Sequence, residues 1–210
     1  MKAGLLGGSF NPVHNGHLRL ALEALEQGGL DRVELVPAFI PPHKDAHQVP
    51  SFATRCQLIE AAIEHMPGLV INRMEGQRSG PSYTVDTLDT YHRLHPGRET
   101  YFLIGCPDFV QLPKWHQWER LLELTHFIVV AREEGDEQAL SSFVATSLSR
   151  RTRKDQNTWL LPSGYSIWMM HAPLLEISSS LIRGKITQGK SIRYLVPDAV
   201  WVELSGSDRN

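Results

Sequence analysis

Apolar positions along the chain follow two different periods. Short runs with almost no polar interruption fall at Lys2–Leu6, Arg32–Pro37, Leu69–Asn72, Thr100–Ile104, Phe127–Ala131 and Ser166–Met170. That length and density are expected of strands buried on both faces. Between most of these runs the apolar residues recur at helical spacing. After His17, for example, Leu18, Ala21, Leu22 and Leu25 fall at i, i+3, i+4 and i+7. The same pattern predicts helices over His17–Gln27, Ser51–His65, Thr84–Leu94 and Gln138–Leu148. Strands alternating with amphipathic helices predict an α/β fold: a Rossmann-like, doubly wound parallel sheet with helices on both faces and a short C-terminal helical part. One domain over residues 1–204 is expected, with a frayed tail from Ser205 to Asn210. The polar stretch SRRTRKDQN, Ser149 to Asn157, reads as a solvated loop.

Ligands of such sheets bind beyond the carboxyl ends of strands, so the loops that follow strands carry the chemistry. The first is GGSFNPVHNGH, Gly7 to His17, a glycine-rich turn between a strand and a helix start. Unpaired N–H groups and the helix dipole suit an anion there. His14 and His17, three apart, can project to one side, and Gly16 between them leaves room for close approach to the backbone. A zinc site is the alternative, but no clear third ligand accompanies the two histidines. The second loop is PPHK, where His43 and Lys44 offer donors and charge on a proline-stiffened segment. The third, GPSYTVDTL from Gly80 to Leu88, is a turn and a capped helix start, with Ser82 or Thr84 as cap and Asp86 in the first turn. The fourth, ISSSLIR from Ile177 to Arg183, opens a short helix with serines and places a guanidinium one turn on. Taken together, the first and fourth read as a cradle for a triphosphate.

Bulk properties narrow the classes. A chain of 210 residues with 41% apolar and 21% charged residues can bury a full core. A net charge of -2 without a Lys/Arg block argues against a protein that depends on nucleic-acid backbone contacts. No apolar run reaches the length of a membrane span, and the first apolar stretch breaks at Gly7-Gly8, unlike a signal peptide. A cytoplasmic location is therefore expected. The two cysteines, Cys56 and Cys106, supply no disulfide framework or zinc quartet. Oligomeric state stays open, a homo-oligomer included.

The chain resembles the nucleotidylyltransferase superfamily, whose signatures are a His-x-Gly-His and a distal Ile-Ser-Ser-Thr-x-Ile-Arg. More narrowly, it resembles the bacterial nicotinate-nucleotide adenylyltransferase family. GGSFNPVHNGH, PPHK, GPSYTVDTL, LPKWHQWERLL, ISSSLIR and YLVPDAV come in that family's order from Gly7 to Val200. The resemblance implies transfer of AMP from ATP to nicotinate mononucleotide, giving nicotinate adenine dinucleotide and pyrophosphate, with Mg²⁺ accompanying ATP and no metal ligands from protein side chains. It implies catalytic roles for His14, His17 and Arg183. It assigns Gly7, Gly8, Ser9, Phe10, Gly16, His43, Lys44, Gly105, Asp108, Ser179 and Ser180 to ATP and its phosphates. Thr84, Val85, Trp115 and His116 would take the mononucleotide, with Trp115 stacked on the pyridine ring; Trp118, three residues on, reads simply as a core anchor.

Three positions depart from the family pattern. The family's Ile-Gly-x-Asp is here Ile104-Gly105-Cys106-Pro107-Asp108, so the acid that meets the adenosine ribose is displaced by one residue. Ser180 stands for the usual threonine, and Asn11 for a frequent aspartate. Two other readings remain: another small nucleotidylyltransferase, such as one acting on pantetheine phosphate, or a catalytically weak nucleotide-binding regulator.

Overall fold

The computed structural model describes residues 1–42, 49–131, 133, 135–148, 152–153, 155–173 and 175–206. His43 and Lys44, expected at the phosphates, lie outside the described residues. The chain runs β1 (Lys2–Gly8), α1 (Asn15–Gln27), β2 (Arg32–Pro37), α2 (Phe52–Ile63), β3 (Leu69–Ile71), α3 (Thr84–Leu94), β4 (Glu99–Gly105), α4 (Cys106–Phe109) and α5 (Trp118–Leu121). It continues through β5 (His126–Ala131), α6 (Asp136–Ser147), β6 (Thr152–Arg153), β7 (Thr158–Leu160), β8 (Ser166–His171), α7 (Ser179–Thr187) and α8 (Asp198–Gly206). Short 3-10 turns occur at Met74–Gln77 and Leu112–Lys114.

The strands form one sheet in the order β3-β2-β1-β4-β5-β8-β7-β6. The run from β3 to β8 is parallel, and β7 and β6 extend it antiparallel to β8. The strand order turns back at β1, which pairs with β2 on one side and β4 on the other. The crevice above this switch point is where the loops after β1 and β4 diverge. Alternate residues of each strand enter different cores. Leu5, Phe102 and Phe127 pack on one face, and Leu6, Leu103 and Ile128 on the other. Burial on both faces explains why these strands read as continuous apolar runs.

Three segments differ from what the sequence pattern predicts. SRRTRKDQN is not wholly a loop, because Thr152–Arg153 pairs antiparallel with Thr158–Leu160 at the sheet edge. Strands of two and three residues are too short for a period to show. Helix α1 begins two residues before His17, so His14 is its cap residue and His17 lies in its first turn. Helix α8 covers Ser205 and Gly206 of the expected tail, and 207–210 lie outside the described residues. No described helix is long and apolar enough to cross a membrane.

Candidate active site

The glycine-rich loop leaves β1 at Gly8 and is anchored by Phe10. This side chain is 1% exposed and its backbone sits at φ +45°, a left-handed conformation uncommon for a bulky residue and held here by burial. The Phe10 ring lies 4.9 Å from that of His17. His14 is extended (φ -149°, ψ 167°) just before α1, and its ring stacks on His17 with centroids 3.6 Å apart. His17 Nδ1 accepts the backbone N–H of His14 at 3.3 Å. In the neutral ring that acceptor role leaves the proton on Nε2, which makes His17 a donor on its other edge. Gly16 is tightly packed. A Cβ there would come within 3.1 Å of His14 Nδ1 and 3.4 Å of the Ile177 carbonyl oxygen.

Distant segments fix this loop. Ser178 caps α7 by accepting from the Leu181 amide at 3.1 Å. Ser179 Oγ donates to the Pro12 carbonyl at 2.9 Å, and Arg183 donates to the Asn11 carbonyl at 2.8 Å and to Ser180 Oγ at 3.1 Å. The amide of Asn15 donates to Leu195 O at 3.0 Å, and its side chain to Tyr194 O at 2.8 Å. The serine motif and the YLVPDAV segment thus brace the start of α1. A third brace, Arg55, was not singled out from the sequence. It is 1% exposed and donates to Ser9 O at 2.8 Å, Ala38 O at 2.7 Å and Pro50 O at 3.0 Å, and burial pushes its pKa down. The available signal was a lone arginine on the buried stripe of α2, at i relative to Ile59, Ala62 and Ile63.

Above the switch point lies a cleft of two lobes. One, about 470 Å³, is lined by Gly7, Gly8, Ser9, His14, Gly16, His17, Gly105, Asp108 and Ser178 to Ser180, among others. The other, about 340 Å³, is lined by Val36, Pro41, Pro42, Glu75, Ser82, Tyr83, Thr84, Thr87 and His116, among others. Gly7, Gly8, Ser9, Phe102, Asp108 and Trp115 border both lobes. The half-buried Trp115 meets the edge of Phe102, with centroids 6.4 Å apart, and Tyr83 lies 4.4 Å from the His116 ring. Trp118 is also half-buried and packs against the core.

Most residues expected at the site therefore converge there. Three described ones do not line the cleft. Phe10 supports the loop from below. The Val85 side chain is fully buried in the first turn of α3. Arg183 spends hydrogen bonds on Asn11 and Ser180. Asp108, despite its displacement, reaches the border of both lobes, because α4 starts immediately after β4 with Pro107 in its first turn. Cys106 is buried beneath this corner. Desolvation first, then the Asp136 carboxylate, pushes its thiol up to about 11, so it is no nucleophile at neutral pH. Glu75, Tyr83 and Phe102 line the cleft without having been singled out from the sequence. Phe102 and Glu75 sit within ordinary strand and turn patterns, which carry no mark of a site.

Comparison with known proteins identifies the family. The model of the cytidylyltransferase-like family matches residues 5–185. The protein of Citrifermentans bemidjiense called "Probable nicotinate-nucleotide adenylyltransferase" is 38% identical over 202 residues, covering 95% of this chain and 94% of that one. Its namesake in Pseudomonas fluorescens is 40% identical over 200 residues, covering 95% and 92%. Among solved structures, Plasmodium falciparum nicotinic acid mononucleotide adenylyltransferase complexed with NaAD covers 100% of this chain and 98% of its own at 19% identity, with a TM-score of 0.75. That likeness is one of fold. With the family model spanning most of its length and such relatives matching nearly all of it, the chain belongs to the cytidylyltransferase-like family and to its nicotinate-nucleotide adenylyltransferase members.

Proposed function

We propose that the protein is a cytoplasmic enzyme that transfers the adenylyl group of ATP to nicotinate mononucleotide, releasing pyrophosphate and forming nicotinate adenine dinucleotide for NAD synthesis. The observation that carries this reading is the two-lobed cleft with a shared floor at Gly7, Gly8 and Ser9. A lobe bordered by paired histidines and a serine-rich helix start suits a polyphosphate. A lobe bordered by Trp115, Phe102 and the start of α3 suits an aromatic ring bearing a carboxylate. The shared glycine floor is where the two phosphates would meet.

The chemistry asks little of the protein beyond positioning. The attacking phosphate oxygen is ionised at neutral pH, so no general base and no covalent intermediate are needed. The mononucleotide oxygen bonds to the α-phosphorus as the bond to the bridging oxygen of pyrophosphate breaks, in line. His17 Nε2–H donates to the α-phosphate as charge builds, with His14 stacked behind it. The amides of Ser179 and Ser180, which have no acceptor within α7, meet the β- and γ-phosphates, and the nearby Arg183 charge, with His43 and Lys44, adds to their field. Phe10 and Gly16 hold the loop, while Gly105 and Asp108 face the adenosine. Amides near Val85 and His116, with Thr84, receive the nicotinate carboxylate.

Mg²⁺ accompanies ATP and neutralises its phosphate charge. Substrate phosphates and water are customary ligands of this ion. The test is direct: ATP, Mg²⁺ and nicotinate mononucleotide are supplied and pyrophosphate is measured. Release coupled to dinucleotide formation supports the reading. Binding of both substrates without release overturns it in favour of a regulator.

A further inference from the structure

Nicotinate mononucleotide carries, besides its carboxylate and phosphate, a quaternary pyridinium nitrogen with a fixed positive charge. The roles proposed above set that ring against Trp115 but give its charge no carboxylate counterpart. One side chain bordering the mononucleotide lobe meets the requirement: Glu75, on the Met74–Gln77 turn, only 5% exposed. Its Oε1 accepts the Thr87 hydroxyl at 2.6 Å and its Oε2 accepts the Phe39 amide at 3.2 Å. Thr87 Oγ1 also lies 3.1 Å from the Tyr83 carbonyl, so its one hydrogen has two acceptors within reach.

The Glu75 carboxylate is held in no contact ion pair among the described residues, and the field of the buried Arg55 offsets part of its charge. Arg55, whose field reaches it, spends its hydrogen bonds on backbone carbonyls. The described lining of the lobe contains no Lys or Arg, and its only carboxylates are Glu75 and Asp108. Apolar walls at Leu5, Val36 and Phe102 limit dielectric screening, so a charge fixed here acts on a bound ring more strongly than it would in water. We infer that Glu75 is a specificity determinant of the mononucleotide lobe: its carboxylate selects a ring that bears a fixed positive charge. Trp115 acts in the same sense, because a cation is attracted to an indole face. This inference rests on the mononucleotide reading of the lobe.

The competing role is a brace for the Phe39 loop, and charge separates the two. Glu75→Gln keeps both hydrogen bonds, since the amide oxygen can accept from Phe39 and the amide nitrogen can donate to Thr87. Thr87→Val removes a bracing bond and keeps the charge. Each protein is titrated with nicotinate mononucleotide and with its 1,4-dihydropyridine form, whose ring is uncharged. The wild type is expected to bind the charged ring about tenfold or more tightly. Glu75→Gln should lose most of that ratio, with KM for ATP within about twofold of wild type, whereas Thr87→Val should keep it.

A ratio that persists in Glu75→Gln overturns the inference, as does a ratio that collapses equally in Thr87→Val. Wild-type turnover in the same preparation separates this failure from the larger one. Turnover with a persistent ratio removes only the Glu75 role. Absence of both binding and turnover of the mononucleotide removes the proposed function, and the Glu75 role with it.

Discussion

At the scale of single residues, His17 shows how local bonding selects a chemical role. Because Nδ1 is occupied by the His14 amide, the ring presents a donor rather than a base, which suits a reaction whose nucleophile is already ionised. His17→Ala is expected to lower kcat by about 10²-fold or more, the usual cost of losing one preorganised donor to developing charge. Steady-state kinetics check this, and an unchanged kcat would remove His17 from the mechanism. Trp115→Ala should raise KM for the mononucleotide by roughly 5- to 150-fold, matching a base–aromatic stack of about 1–3 kcal/mol, while sparing ATP. The opposite split in KM would contradict the stacking role. Cys106, with its thiol pushed up to about 11, should resist iodoacetamide in the folded protein at pH 7.5. Mass spectrometry of the alkylated chain reads this, and rapid native labelling would show the burial to be wrong.

At the scale of elements, the site is a junction of helix starts held by chain segments far apart in sequence. Gly16 illustrates the coupling, because the volume a side chain would need is already taken by His14 and by the Ile177 backbone. Gly16→Ala should act as an overpacking substitution costing about 1–3 kcal/mol. At roughly 2–4 °C per kcal/mol for a chain of this size, calorimetry should show a drop in Tm of several degrees. Activity should fall further than stability, because the clash bears directly on the His14–His17 stack. Wild-type kcat with only a lower Tm would mean that stack is dispensable. Much of this junction was legible. The Gly-Gly turn, the histidine spacing and the serine cap all mark helix starts in the sequence itself. The brace formed by Arg55 was not, since the pattern shows an arginine on an apolar stripe but not the carbonyls of Ser9 and Ala38 that receive it.

At the scale of the whole molecule, three histidines outside the cleft tie stability to pH. His92, His95 and His126 are all held below the ordinary imidazole value of 6.5, in each case by burial first. The neighbouring carboxylates Asp89, Glu34 and Glu99 oppose that shift without cancelling it. Their folded pKa values are depressed, so the unfolded chain binds more protons just below 6.5. Stability from this source is complete above that value and is lost as pH falls through it toward the folded values. Tm measured across pH 8 to 5 should therefore be level above about 7 and decline below about 6.5. A Tm that rises on acidification through that range would contradict the burial of these rings.

The sequence by itself determined the alternation of strands and helices, the parallel core and where loops leave the strands, because the spacing of apolar side chains and the placement of glycines, prolines and caps are local properties. Its motif order also pointed to the family. Tertiary structure alone decided which helix start faces which, that Asp108 reaches the cleft after its displacement, that Arg183 braces rather than lines it, and that Glu75 borders the same lobe as Thr84, Trp115 and His116. These are long-range matters. They depend on how the β1, β2 and β4 ends, α3 and α7 come together, and no spacing along the chain encodes a distance between residues that meet only after the sheet has formed.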